Sequence, residues 1–139
     1  MANEATLIVQ RTIPIMMTVA NATGIEKGVV LAMTDPFTAI AASADNDIVA
    51  GIAYTEKIAS DGITKIAVVR GPGDIFKMKA SGAITVGDPV GVEGDTANSV
   101  HTIVNTALLS GMKRLGYALE TAANADTFLV ELNIGSGLA

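Results

Sequence analysis

The chain has 139 residues, with 9 Lys plus Arg, 14 Asp plus Glu, one His and a net charge of −5, a length that suits one domain burying roughly two-thirds of its unfolded surface. Half of the residues are hydrophobic and neither Cys nor Trp occurs, which excludes disorder, a disulfide scaffold, a thiolate metal site and a Cys nucleophile. A sequence pI near 4.6 argues against a protein that neutralises nucleic-acid phosphates.

The apolar segments are short, rich in Val, Ile and Thr, and closely punctuated by Gly, Asn, Asp and Pro, the pattern of many short strands. In chain order, strands are expected at 6–10, 15–19, 29–33, 48–54, 64–69, 74–79, 89–92, 115–120 and 127–133. Asp61-Gly62 and Gly71-Pro72-Gly73-Asp74 read as turns, because Gly accepts positive φ and Pro presets its own. Asp45-Asn46-Asp47 reads as a solvated turn and not as a Ca²⁺ loop, since Ala50 and Lys57 stand where an EF-hand needs Gly and Glu. The segment 99–112 is ambiguous. Val100, Ile103, Val104, Ala107 and Leu108 recur at helical spacing with Ser99 as an N-cap, while Val100, Thr102 and Val104 alternate as a strand would.

Mean hydropathy is +0.47, yet no stretch reaches the 18 or so uninterrupted apolar residues of a membrane span. The run 13–22 is broken by Pro14, Thr18 and Asn21, and 38–54 by Asp45, Asn46 and Asp47. The start Met1-Ala2-Asn3-Glu4 lacks the basic region of a signal peptide. Only 17% of residues are charged, below the usual ~25%. Part of the surface is therefore expected to be covered by other chains, in a homo-oligomer or larger assembly. The alternative is an Ala-rich monomer.

Two halves of the chain read alike. Ile25 precedes Gly28 as Ile84 precedes Gly87, with Val29-Val30-Leu31 and Asp88-Pro89-Val90 following. Gly51-Ile52-Ala53-Tyr54 matches Gly116-Tyr117-Ala118-Leu119, each before a polar turn and a last alternating strand. The fold class expected is mainly β: a compact barrel or sandwich of short strands with an internal duplication and at most one or two short helices. Chance similarity in a Gly-, Ala- and Val-rich chain is the alternative.

Groups able to carry chemistry are few. His101 is the only imidazole, with Ser99 and Ser110 as sequence neighbours but no nucleophile elbow, and one His cannot supply a zinc site. Gly94-Asp95-Thr96-Ala97 is a polar turn more than an aspartic-protease loop, because Ala replaces the Gly. Lys77-Met78-Lys79-Ala80 gives a biotinyl- or lipoyl-like carrier modified on Lys79 as one alternative. A carbohydrate-binding β module is another, with Phe37, Tyr54, Phe76, Tyr117 and Phe128 as its available rings. No catalytic residue, cofactor or metal is assigned, and the reading is of a structural protein.

The order of motifs resembles the small capsid cement or decoration proteins of tailed bacteriophages. The matching pieces are Gly24-Ile25-Glu26-Lys27-Gly28-Val29-Val30, Val49-Ala50-Gly51-Ile52-Ala53, Gly62 through Val69 to Gly71, Ala80 through Val90, and Gly116-Tyr117-Ala118-Leu119-Glu120-Thr121-Ala122 through Val130-Glu131-Leu132. The departures lie between Val92 and Leu115 and in the first 21 residues. The resemblance implies a non-enzymatic homotrimer, made in the host cytoplasm. It would bind the outer surface of an assembled head and bridge subunits of the major capsid protein, with no nucleic-acid or membrane partner. Residues 22–139 are expected to form one β-rich decoration domain. Residues 1–21 would be either an arm contacting the capsid through Leu7, Val9, Ile13, Met16 and Met17 or the first hairpin of the barrel.

Overall fold

The structure is a computed structural model and describes residues 3–94, 98–103 and 111–135. Eleven strands form in order: β1 (Thr6–Val9), β2 (Ile15–Thr18), β3 (Val30–Asp35), β4 (Thr38–Ala41), β5 (Val49–Ala53), β6 (Lys65–Val69), β7 (Ile75–Ala80), β8 (Pro89–Glu93), β9 (Ser99–Thr102), β10 (Arg114–Ala118) and β11 (Thr127–Gly135). No helix occurs among the described residues.

The strands close into two barrels of five. The first runs β2-β4-β3-β5-β6 and back to β2. The second runs β7-β11-β10-β8-β9 and closes through a parallel β7–β9 pairing, with β1 added beside β7. Closure pairs every strand of each ring on both sides over at least part of its length, which limits the free sheet edge. In each barrel one pairing is parallel, Thr18 opposite Thr38 in the first and Lys79 opposite Ser99 in the second; the other pairings are antiparallel.

The duplication holds residue by residue. Ile25 and Lys57 exchange backbone hydrogen bonds of 3.0 and 2.8 Å, and Ile84 and Ala122 exchange two of 2.9 Å. Gly28 N donates to Ala53 O as Gly87 N donates to Ala118 O. Ala53 faces Val68, which faces Ile15; Ala118 faces Val130, which faces Phe76. Ile15 and Phe76 are thus equivalent, as are Met16 and Lys77, and Thr18 and Lys79.

Narrow barrels explain the composition. The first is filled by Met17, Leu31, Ile66 and Val68 together with Ala39, Ala50 and Ala53. A five-stranded ring has little interior volume, so Ala serves where a wider barrel would need larger side chains. The second holds Phe76, Met78, Leu115, Phe128, Val130 and Leu132. Val30, Val49, Ile52 and Val69 of the first barrel belong to the second core cluster, so the outer face of β3, β5 and β6 is the seam between barrels. All five residues of β5 are buried.

Glycine is required where β5 and β10 meet their neighbours. A Cβ on Gly51 would lie 2.4 Å from Val69 O, at φ +151°, and one on the equivalent Gly116 would lie 2.0 Å from Glu131 O.

The nine expected strands form within a few residues of their expected bounds; β4 was not expected, and β9 is the strand alternative left open over 99–112. β4 buries Ala39 and exposes Ile40, which inverts the usual amphipathic signal. Ser99, expected as the N-cap of the helical alternative, is instead the first residue of β9, and the segment is extended there. Its strand alternation prevails through Thr102, and 104–110 lie outside the described residues.

Candidate functional site

The residues singled out near the N-terminus fall on different surfaces. Leu7 is half-buried and packs against the second core opposite Phe76. Val9 is 38% exposed, Met16 55% and Ile13 88%, whereas Met17 is 1% exposed inside the first barrel. Met17 is turned into the barrel because β2 alternates and sends its odd-numbered side chains inward. The connection between β1 and β2 is pinned by the fully buried Asp74. Its carboxylate accepts from Arg11 N, from Thr12 N at 3.0 Å and from Thr12 Oγ1.

His101 lies on β9 with oxygen atoms facing both ring nitrogens: Glu93 Oε2 at 3.0 Å from Nδ1 and Asn46 Oδ1 at 3.0 Å from Nε2. Ser81 Oγ donates to Glu93 and not to the imidazole. Asp45 Oδ1 accepts from Gly94 N at 2.6 Å, and Asn46 N donates to Val92 O at 3.0 Å. Ligand atoms of Asp45, Glu93 and His101 lie within 4.8 Å of one another. Glu93 and His101 belong to the second barrel and Asp45 and Asn46 to the β4–β5 loop of the first. The group therefore clasps the two barrels together and presents no activated nucleophile. The Asp95-Thr96 turn lies outside the described residues.

The two alternative sites are not assembled. Lys79 sits within β7, paired with Ser99 on one side and Thr127 on the other, so it is not at the tip of a hairpin as a carrier lysine must be. Phe76 and Phe128 are core residues. Lys27 covers Tyr54 at 5.7 Å and Arg114 covers Tyr117 at 4.7 Å. Phe37, 62% exposed, is left as the open ring, too little for a sugar platform.

Sequence reasoning did not single out Lys57, which is buried. Its Nζ donates to the carbonyls of Asn21, Thr23 and Ile58 at 2.9, 2.6 and 3.1 Å, with Asp61 Oδ1 at 3.7 Å. The N–H of Ile63, and secondarily that of Ile58 and the Lys57 charge, hold the Asp61 carboxyl below its ordinary pKa. Beside them a hollow of about 560 Å³ lies between 24–26 and 56–58. A second hollow, about 320 Å³ and apolar, opens at the mouth of the first barrel between Ile15, Met17, Met33, Phe37 and Met112, with Arg70 on its wall. Asp35-Pro36-Phe37 was the available signal for it: a turn that carries an aromatic side chain into solvent.

The family model described as phage cement protein matches residues 9–134. Among solved structures, the fold is similar to the N base of the bacteriophage phi29 head fiber gp8.5. The similarity covers 87% of this chain and 93% of that chain, with a TM-score of 0.56 and 16% sequence identity. No curated protein matches.

Proposed function

The chain belongs to the phage cement protein family, and from that we propose that it binds the outer surface of the assembled capsid as a homotrimer and bridges subunits of the major capsid protein. At the coarser level it is a structural protein of a phage head and not an enzyme. The observation that carries the proposal is the family match, which spans both barrels. The surface supports it: large apolar side chains stand exposed at Ile13, Met16 and Phe37 on a chain with few charges.

The mechanism is mass action. A ligand that binds the assembled shell and not free subunits stabilises the shell. A trimer makes three contacts for one loss of translational freedom, so modest individual contacts suffice. In this reading the N-terminal segment 1–21 faces the shell through Val9, Ile13 and Met16. Leu7 and Met17 serve the protein's own cores.

The test is sedimentation with heads that lack this protein, together with light scattering of the free protein. The expected results are a mass three times 14.2 kDa, saturable binding to expanded heads, and heads that survive heating better once decorated. A monomer that fails to co-sediment would overturn the proposal.

A further inference from the structure

The two barrels differ at one point in their strand pairing. Along the side of β7 away from β11, β9 takes Lys79 and Ala80, and β1 takes the rest, with Thr6 opposite Lys77, Leu7 opposite Phe76 and Val9 opposite Ile75. On the equivalent side of β2, β4 takes Thr18, and no strand among the described residues takes the positions that correspond to those β1 covers. Val19 N donates to Thr64 O, so odd-numbered residues of this strand bond toward β6; Thr18 N turns the other way, to Phe37 O. The N–H and C=O of Met16 therefore point out of the barrel on the open side. Pro14, equivalent to Ile75, adds a carbonyl there and no N–H.

The side chains repeat this difference. Opposite Phe76 the second barrel is covered by Leu7. Opposite Ile15, the equivalent of Phe76, the first barrel has the apolar groove of about 320 Å³ walled by Met17, Met33 and Phe37. Phe37 is equivalent to Asn98, which follows from Thr38 matching Ser99; both have positive φ, 50° and 54°. Asn98 Nδ2 grips the chain entering β1, at Asn3 O, 2.8 Å. At that place the first barrel presents an exposed aromatic ring.

We propose that the open side of β2 is the seat of an extended segment of the shell subunit, added antiparallel to β2 as β1 is to β7. One apolar side chain of that segment enters the groove where Leu7 would stand. The occupant follows from a count: each copy has two such seats and one β1, so copies of this chain cannot fill both seats with β1. β1 is already paired with β7, so the strand that seats on β2 is one other than β1, and for a head protein the shell supplies it. Main-chain pairing supplies the affinity and the groove the specificity. This inference rests on the capsid-binding reading above.

The experiment compares Met16→Pro, Phe37→Asn and Ile58→Asp with the unaltered full-length protein in binding to expanded heads that lack it. Proline is tolerated at an edge position whose N–H is free, and Asn accepts the positive φ at 37. Met16→Pro and Phe37→Asn are expected to keep the oligomeric state and melting temperature and to bind at least tenfold more weakly, with Ile58→Asp unchanged. Hydrogen exchange at the Met16 amide is expected to be fast in free protein and slow on heads. Head binding by both β2-side variants equal to that of the unaltered protein would overturn the seat while leaving the capsid-binding reading standing. So would an amide already protected in free protein, which would mean that the chain itself or a second copy fills the seat. Failure of the unaltered protein to bind heads would overturn the capsid-binding reading itself.

Discussion

Lys57 shows what one residue does when two halves share a backbone plan. It and Ala122 hold the same place in the bridge to Ile25 and Ile84, yet only the first half spends a charged side chain there. The ammonium satisfies the loop carbonyls of Thr23 and Ile58 and shares Asn21 O with the Ser60 N–H, and Asp61 balances its charge. Burial of such a group is tolerable only because every proton has a partner. Lys57→Met keeps the aliphatic bulk and strands the carbonyls of Thr23 and Ile58, leaving Asn21 O with the Ser60 N–H alone. It is expected to cost about 2–4 kcal/mol, read as a lower urea midpoint at unchanged slope. A loss below about 0.5 kcal/mol would mean that water replaces the ammonium at no cost.

At the scale of elements, β1 is a sixth strand laid beside the second barrel's ring. It pairs with β7, its Leu7 covers the core, and Asn98 and Asp74 grip the chain on either side of it. Removing residues 1–11 is expected to destabilise the protein by about 2–4 kcal/mol, from lost apolar burial and unpaired donors on β7; thermal melting of the truncated chain checks this. Unchanged stability with lost head binding would instead make the segment an arm. The sequence made nine strands legible because Val- and Ile-rich runs stood between Gly and Asp turns. It made the duplication legible because Gly28 with Gly87, and Gly51 with Gly116, are constrained by closely approaching backbone or by φ. It hid β4 because Ala39 fills a narrow interior while Ile40 faces out. The groove was hard to foresee too, because Ile15, the Met33–Phe37 hairpin, Arg70 and Met112 are separate segments that only the closed barrel brings together.

For the whole molecule, the question is whether two barrels make one folding unit. Each has its own interior, which favours independent melting. Against that, Val30, Val49, Ile52 and Val69 pack into the second core, so the first barrel cannot lose β5 without opening the second. Polar ties cross the same seam: Asn98 Oδ1 accepts from Val30 N at 2.7 Å, its Nδ2 donates to Gly28 O at 2.9 Å, and His101 reaches Asn46. Four buried aliphatic side chains at roughly 1.5–3 kcal/mol each form a coupling comparable to the whole stability of a domain of this size. One transition is therefore expected, with calorimetric and van't Hoff enthalpies equal. Ile66 belongs to the first interior alone. Ile66→Ala should cost about 2–5 kcal/mol and lower that single transition for both barrels. A second transition, left at its original temperature while the first moves, would show that the seam is weaker than its apolar area implies. A cement protein gains from the coupled outcome, because a load applied at one barrel is then resisted by the stability of both.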